Sequence, residues 1–300
     1  MMKLRLLFAG LLLSGSTLAA PETPLNVGSL AEVPIASLHP TQATLGFRQI
    51  DYKVNRYKHD AKKLFDDFCE SAGAKGIEKY NDASRISDFA SFSCKTAPGS
   101  ELKKVNTAVI APDNQLYLTD GHHTFTSFAE VGGLQTKVYV RITDDFRHLP
   151  NMTAFWQTMQ ARKLTWLETP QGVITPQQLP QQLSRKQMIN DEYRSLVWLT
   201  RDIGYRKPDS PPPFLEFYWG KWLATQLPLS KMDLSSQSGY AAAVESAAEK
   251  MVSAPADTLL AQTDSGPLTA EKAGQMSRVN QKALRKLVSA TGKLTYAFAN

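Results

Sequence analysis

The chain of 300 residues has 42% hydrophobic and 21% charged residues, which is ordinary for a globular protein and excludes a fibrous, collagen-like or broadly disordered one. Its formal net charge of +6 permits an anionic ligand but does not require one. A chain of this length can bury a sizeable core, as one large domain or two small ones.

Residues 1–20 have the pattern of a secretory signal peptide. Lys3 and Arg5 precede the apolar run 6–13, and small residues follow as far as Ala19 and Ala20. The pattern predicts cleavage near Ala19 or Ala20 and export to the periplasm or medium, with a buried N-terminal helix as the alternative. The run is much shorter than the roughly 20 residues of a membrane span, and we predict no transmembrane segment. Cleavage would lower the net charge from +6 to +4.

Two cysteines, Cys69 and Cys94, lie after the predicted signal peptide. An even count in an oxidising compartment predicts one disulfide, and two buried thiols are the alternative. In the chain-entropy description, closing this loop stabilises the fold by roughly 3 kcal/mol. Zinc is disfavoured, because neither cysteine has a Cys or His neighbour at a ligand spacing.

Residues 21–150 predict a small α+β core. Apolar alternation and turn chemistry indicate, in chain order, a strand at 33–35, an amphipathic helix at 60–70, two strands at 105–111 and 115–119 joined by a turn at 112–114, and a strand at 137–143. Basic residues that follow Gln42 are interpreted as a solvated surface: Arg48, Lys53, Arg56 and Lys58.

Residues 151–233 predict a helical extension of the same unit, and residues 234–300 a helical tail. Helical periodicity and caps indicate helices at 152–167, at 189–203 with Asn190 or Asp191 as the N-cap, at 214–223, at 241–252 and at 269–287. The apolar stripes of the first two helices need a partner, and the sheet is the available one. The predicted fold is therefore α+β, with a small mixed sheet packed against a helical second half.

The segment TDGHHT at 119–124 has the highest concentration of side chains that could bind a ligand or catalyse a reaction. A strand ends at Thr119, a sharp turn is favoured by Asp120 and Gly121, and a helix face follows. Unpaired N–H groups and the positive dipole end of that helix, with two imidazoles and the Thr124 hydroxyl, predict a phosphate or carboxylate site. The alternative is a helix cap in which one histidine packs and the other is solvated.

Roles follow from residue type. His122 or His123 would be a general base or a metal ligand, and Gly121 and Thr124 would bind the anion. A divalent cation, Mg²⁺ or Mn²⁺, is the cofactor considered, with Asp120 as its carboxylate ligand.

The helical half supplies cations that complement this turn. Arg194 and Arg201 share one helix face, and Asp191 lies where it can orient Arg194. Glu216 stands alone among aromatic residues, where burial would raise its pKa toward the range of a general acid or base. The alternative is a structural Arg–Glu pair that ties the helical half to the core.

Separated segments resemble one family in the same order: VPI at 33–35, PTQ at 40–42, DGHH at 120–123, NDEYRSL at 190–196 and FLEFYW at 214–219. The chain resembles the ParB/sulfiredoxin superfamily over most of residues 30–230, and within it the branch called putative ParB-like nucleases. The resemblance implies an α+β core whose glycine-containing turn and following helix grip phosphate. Members of the superfamily bind or cleave nucleotides, transfer phosphoryl groups or reduce oxidised cysteine.

Two departures limit what this resemblance implies. Many relatives have an arginine directly after the turn motif, where this chain has Thr124, which weakens a nucleoside triphosphate assignment. The turn contains no cysteine, which excludes sulfiredoxin chemistry. Chromosome partition is also excluded, since no basic helix-turn-helix follows and an exported protein does not meet the chromosome.

Two functional hypotheses remain from the sequence. In the first, the protein is an exported phosphodiesterase or nuclease-like hydrolase that acts on a phosphate-containing small molecule or nucleic acid. In the second, it is a non-catalytic periplasmic module that binds an anion or another ligand. The sequence leaves the oligomeric state open.

Overall fold

A five-stranded mixed sheet organises the first half of the computed structural model, which describes residues 25–299. The predicted signal peptide lies outside these residues. The strands are β1 (Leu30–Pro34), β2 (Leu38–Pro40), β3 (Thr44–Leu45), β4 (Ile77–Lys79), β5 (Ser93–Cys94), β6 (Thr107–Ile110), β7 (Leu116–Leu118), β8 (Lys137–Asp145), β9 (Glu168–Thr169), β10 (Gly172–Val173), β11 (Ile189–Asn190), β12 (Leu259–Thr263) and β13 (Gly266–Thr269).

The helices lie between and after these strands. They are α1 (Phe47–His59), α2 (Ala61–Ser71), α3 (His122–Gly132), α4 (Met152–Ala161), α5 (Glu192–Thr200), α6 (Leu215–Gln226), α7 (Gln237–Ser253), α8 (Gln281–Leu287) and α9 (Lys293–Ala297). Within residues 25–299, no helix has both the length and the apolar character needed to cross a membrane.

The sheet has the order β1-β8-β6-β7-β2 and is buried on both faces. The β6–β8 and β2–β7 pairs are parallel, and β1–β8 and β6–β7 are antiparallel. Successive residues of β6 point to opposite faces: Ala108 and Ile110 pack in the core under α2 and α3, and Val109 packs in the core with α4. The α+β prediction is confirmed.

The predicted disulfide is present between Cys69 of α2 and Cys94 of β5, with their Cα atoms 5.7 Å apart. Helix α2 begins after Asp60, whose carboxylate caps the backbone N–H of Lys63, and it buries the predicted Leu64, Phe65 and Phe68. The disulfide therefore joins the buried face of this helix to the small β4–β5 ladder.

The helical half only partly follows the expected packing. Helix α4 lies on the sheet, as predicted, but α5 packs with α6, α7 and C-terminal residues in a core of their own. The predicted tail is thus an integral part of this second core. Helix α5 reaches the sheet region through β11, which pairs in parallel with β3.

Several predicted boundaries are wrong. Helix α4 ends at Ala161, so Trp166 and Leu167 lie beyond it, and Ile189 is in a strand because its backbone pairs with Thr44. Asp191 is the N-cap of α5. The segment 269–287 is helical only over α8: Thr269 ends the β12–β13 hairpin, and Gln275 forms an isolated bridge with Tyr205.

Helix α1 is absent from the sequence predictions. Of the basic residues after Gln42 that were interpreted as a solvated surface, Lys58 is exposed, whereas Arg48, Lys53 and Arg56 are partly buried. This helix lies between α3, α5 and α9. The Asn55 amide donates to the carbonyls of Tyr296 and Ala299, at 3.0 and 2.7 Å, and fastens α9 to α1. Lys53 is largely buried and forms an ion pair with Asp67 at 3.7 Å.

Candidate functional site

A cleft of about 530 Å³ separates the turn after β7 from the helical half. We call it the central cleft. All the residues that the sequence proposed for an anion site line it: Asp120, Gly121, His122, His123, Thr124, Arg194, Arg201 and Glu216. The fold thus brings together segments that are about 70 to 95 residues apart in sequence.

Gly121 makes the turn at the base of the central cleft. It is the N-cap of α3 with φ of +102°, a left-handed conformation that glycine adopts without strain. A Cβ atom at this position would stand 2.6 Å from Cγ of Asn106. The turn therefore depends on glycine for its backbone conformation and for the close approach of Asn106.

The two adjacent histidines are both buried and both accept a backbone hydrogen bond. Nε2 of His122 accepts from the N–H of Thr41 at 3.1 Å, and Nε2 of His123 accepts from the N–H of Gly46 at 3.0 Å. Burial lowers the pKa of His122 to about 3. Burial and the nearby Arg194 charge hold the pKa of His123 well below its ordinary value. Both imidazoles are therefore neutral, with Nε2 engaged.

The hydrogen bonds of the two rings leave neither Nε2 atom free for the expected role of general base. A general base needs a free ring nitrogen toward the substrate, whereas each Nε2 holds a main-chain N–H of the loop after β2. The expectation that one histidine is solvated is wrong, since both are at least nine-tenths buried. The PTQ and DGHH segments meet here, because the N–H of Thr41 belongs to the first and His122 to the second.

Arg194 is the buried cation of the central cleft, with only 6% of its surface exposed. Its Nε and Nη1 atoms have no hydrogen-bond partner among the described residues. The guanidinium lies 5.5 Å from the ring centre of Phe217. Asp191 does not orient the side chain as expected; its carboxylate accepts instead from the backbone N–H of Arg194 at 2.9 Å, as a helix cap.

Arg201 and Glu216 form an ion pair that also lines the central cleft. Burial raises the pKa of Glu216, but the charges of Arg194, Arg201 and Lys207 outweigh it and bring that pKa down to about 2. The expected rise toward a general acid or base is therefore wrong. Three cations surround this carboxylate, and their combined attraction exceeds its desolvation.

Asp120 lines the central cleft beside Gly121 and keeps contact with solvent. The surrounding protein walls raise the pKa of its carboxyl, although the adjacent N–H of Gly121 donates to it at 2.8 Å. Thr124 faces the same space from the first turn of α3. The Lys53 ammonium lies 3.5 Å from its hydroxyl.

Several residues of the central cleft were not proposed as site residues from the sequence, among them Lys163, Lys207 and Phe214. Lys207 lies in the irregular segment before the Pro211–Pro213 run, and its basic neighbour Arg206 was the available signal. Lys163 and Phe214 have left-handed backbones, with φ of 53° and 60°, which no periodic pattern reveals.

The divalent cation considered from the sequence, with Asp120 as its ligand, stays a prediction. Within the described chain, no group of three or more His, Cys, Asp or Glu side chains is placed to hold a metal ion. Three carboxylates line the cleft: Asp120, Asp144 and Glu216. Asp144 is paired with Arg162 and Glu216 with Arg201, and Arg194 and Lys207 add positive charge beside Glu216. Positive charge beside Glu216 disfavours a further cation at that carboxylate.

Comparison with known proteins identifies the family. The model of the family described as "Putative ParB-like nuclease" matches residues 31–225. The chain belongs to this family. The match contains the whole turn, both histidines and the Arg194, Arg201 and Glu216 positions. A search of curated proteins finds no match.

A solved structure shares the fold. It is the crystal structure of a protein from Agrobacterium tumefaciens, 22% identical, with a TM-score of 0.52. The similarity covers 75% of this chain and 93% of that one. At 22% identity, the similarity shows only that the two proteins share a fold.

Proposed function

We propose that this ParB-like protein binds the phosphate group of a phosphate ester in the central cleft. The observation that carries the proposal is Arg194, a buried guanidinium whose Nε and Nη1 atoms have no partner within residues 25–299. A buried charge without hydrogen bonds is costly, and a phosphate oxygen would supply the missing acceptors.

The surroundings of Arg194 favour an anion as well. Arg201 and Lys207 line the same space, and the α3 N-terminus adds the positive end of its dipole at Gly121. Thr124 offers a hydroxyl there. These groups make a phosphate site without any contribution from the histidine rings, which hold the loop after β2 in position.

Calorimetric titration with inorganic phosphate tests the proposal. Arg194→Gln is expected to weaken phosphate binding at least tenfold, since a charge-assisted pair contributes about 1.5–3 kcal/mol. Arg147→Gln is the matched control, because Arg147 pairs with Asp145 outside the cleft. Equal phosphate affinity in the wild type and Arg194→Gln, or no binding by the wild type, would contradict the proposal.

Hydrolysis of a phosphodiester is the second candidate function, and Asp120 is the observation that favours it. Its carboxyl is exposed in the central cleft and has a raised pKa, as a group that takes up or delivers a proton requires. Glu216 is unsuited to that role because its pKa is about 2 and it is paired with Arg201. In this mechanism Asp120 takes a proton from water as the water oxygen bonds to phosphorus. The ester P–O bond breaks, the leaving oxygen departs with its electron pair and takes up a proton, and Arg194 neutralises charge on the phosphoryl oxygens.

The reaction is tested with bis(p-nitrophenyl) phosphate and with single-stranded DNA, each with added Mg²⁺ or Mn²⁺ and with a chelator. Asp120→Asn is expected to abolish hydrolysis and to keep phosphate binding. Asp113→Asn, in the distant β6–β7 turn, is its control. Binding of phosphate without turnover under all these conditions would leave the protein a binding module.

We also propose that the protein is exported and works in the periplasm or outside the cell. The Cys69–Cys94 disulfide supports this, because such bonds persist in oxidising compartments. The predicted cleavage near Ala19 or Ala20 is tested by N-terminal sequencing of the protein from the periplasmic fraction. An intact N-terminus on cytoplasmic material would contradict export.

A further inference from the structure

The central cleft offers hydrogen-bond acceptors that a phosphate group cannot use. Its volume of about 530 Å³ is that of a site for an organic ligand, and one phosphate occupies a small part of it. At about pH 8 a phosphate monoester is largely a dianion, whose oxygens only accept hydrogen bonds. A protein acceptor in this cleft therefore needs a donor from another part of the ligand.

Gln42 is the best defined of these acceptors. It lines the central cleft, and only 5% of its surface is exposed. Its Nε2 atom donates to the carbonyl of Thr44 at 2.7 Å, which establishes which end of the amide is the oxygen. None of the described residues donates to that oxygen, Oε1. An acceptor without a partner in a mostly buried side chain favours a ligand that brings a donor.

Two further amide side chains line the central cleft without a hydrogen bond. Gln49 lies in the first turn of α1, and its Oε1 atom is buried and has no partner among residues 25–299. Asn106 packs against the turn at Gly121, and no described residue binds its side-chain amide. An amide both accepts and donates, and a hydroxyl group, which does the same, is its natural partner.

The two buried histidines fix the backbone that carries both glutamines. The residue directly before Gln42 donates its N–H to His122. The N–H of Gly46 donates to His123, and the carbonyl of Gly46 accepts from the N–H of Gln49 at 3.0 Å. The rings thus hold the two glutamines in place beside the turn, although neither ring needs to contact the ligand.

The charge of the central cleft decides between two kinds of donor. An ammonium group also donates to amide oxygens, but three cations that line the cleft have no ion-pair partner among the described residues: Lys163, Arg194 and Lys207. They stand against one unpaired carboxylate, that of Asp120, because the other two acids are bound to arginines. Like charges repel an ammonium group, so neutral hydroxyl groups are the donors that fit.

We propose that the ligand of the central cleft is the phosphate ester of a polyol or a sugar. Its hydroxyl groups donate to Gln42 and Gln49, and its phosphate meets Arg194. This inference rests on the proposed phosphate site and names the class of molecule that the site takes. Acyclic polyols and sugar rings both present neighbouring hydroxyl groups, which is the chemistry that the amides recognise.

Calorimetry at about pH 8 tests the inference with inorganic phosphate, ethyl phosphate, glycerol 3-phosphate and glucose 6-phosphate. The better of the two hydroxylated esters is expected to bind at least about fivefold more tightly than ethyl phosphate, the equivalent of about one neutral hydrogen bond. Tighter binding of glycerol 3-phosphate identifies an acyclic polyol, and tighter binding of glucose 6-phosphate identifies a sugar ring. If 2-aminoethyl phosphate binds as tightly as the better of these, the donor is an ammonium group and the inference is overturned.

Variants at the two glutamines test which oxygens accept. Gln49→Leu and Gln42→Met keep the approximate size of the side chain and remove the amide, so each should bring the ratio of affinities toward one. Gln49→Glu keeps an acceptor oxygen and should keep the ratio, since its added charge weakens the binding of both esters. Thermal unfolding checks that each variant is folded. Gln171→Leu, at an exposed glutamine outside the central cleft, is the control.

The failures are distinct. If ethyl phosphate and both hydroxylated esters bind equally, the inference is wrong and the phosphate site stands. If the hydroxylated esters bind more tightly but Gln42→Met and Gln49→Leu both keep the full ratio, the hydroxyl groups bind elsewhere and the inference is overturned. If none of the probes binds, both proposals fall.

Discussion

The backbone N–H of Gly46 donates a 3.0 Å hydrogen bond to Nε2 of His123, from a position 77 residues earlier in the chain. This bond joins the start of α1 to the first turn of α3. It defines the ring as a neutral acceptor whose proton is on Nδ1. A histidine that looks catalytic by residue type thus stabilises the wall of the central cleft.

We predict that His123→Leu destabilises the protein by about 1–3 kcal/mol, because the buried N–H of Gly46 loses its acceptor. His123→Gln should recover much of this loss, since its side-chain oxygen can reach the position of Nε2. Urea unfolding followed by circular dichroism measures both variants. A leucine variant as stable as the wild type would show that the bond contributes nothing.

Acid should destabilise the fold through the two histidines. The pKa of His122 falls to about 3 and that of His123 is also depressed, whereas an unfolded histidine titrates near 6.5. Below about pH 6.5 the unfolded chain binds protons that the folded chain does not. Stability therefore falls with falling pH, by up to about 1.4 kcal/mol per pH unit for each histidine.

Urea unfolding at pH 7.5, 6.5, 5.5 and 5.0 measures how the free energy of unfolding changes with pH. Glu216 contributes mainly below this range, since its ordinary pKa is 4.5 and its pKa in the folded protein is about 2. His122→Gln should remove one histidine's share of the slope between pH 6.5 and 5.0. An unchanged slope in that variant would contradict a depressed pKa for His122.

Glu216→Gln is predicted to tighten phosphate binding by several-fold. The substitution removes a negative charge from the central cleft and frees Arg201 for the ligand. Because it also leaves the partly buried Arg201 without its partner, stability should fall by about 3 kcal/mol or less. Calorimetry with inorganic phosphate is the measurement. Weaker phosphate binding would mean that Glu216 mainly orders the arginine for the ligand.

Reduction of the Cys69–Cys94 disulfide should lower the free energy of unfolding by roughly 3 kcal/mol, because the unfolded chain regains the freedom of a loop with a sequence separation of 25. The double variant Cys69→Ala with Cys94→Ala should show a similar loss that does not change with reductant. Phosphate affinity should stay the same, since neither cysteine lines the central cleft. Unfolding curves of the wild type that coincide with and without reductant would contradict a stabilising bond.

Local patterns in the sequence were enough to predict α2, the β6–β7 hairpin, β8 and the turn at Gly121. In each case the pattern is carried by neighbouring residues: an apolar period along one element, a capping side chain such as Asp60, or a glycine between a strand and a helix. The pairing of Cys69 with Cys94 was predictable because two cysteines allow one bond.

Helix α1 and the packing of the C-terminal segment into the second core could not be predicted from such local patterns. The buried face of α1 includes Asn55 and Tyr57, and its partner α9 lies more than 230 residues later. Polar residues that face another helix obscure the apolar period on which a sequence prediction depends. Ile189 looks helical by spacing, but pairing with Thr44 makes it a strand residue.

The sequence by itself determined which side chains stand near the turn, because the motif and its helix are contiguous. Only the tertiary structure decided what they do. The rings of His122 and His123 became acceptors for backbone groups 81 and 77 residues away, and the pKa of Glu216 fell because three cations from other segments surround it. Hydrogen-bond direction and electrostatic energy depend on distances in space, and residue order does not encode those distances directly.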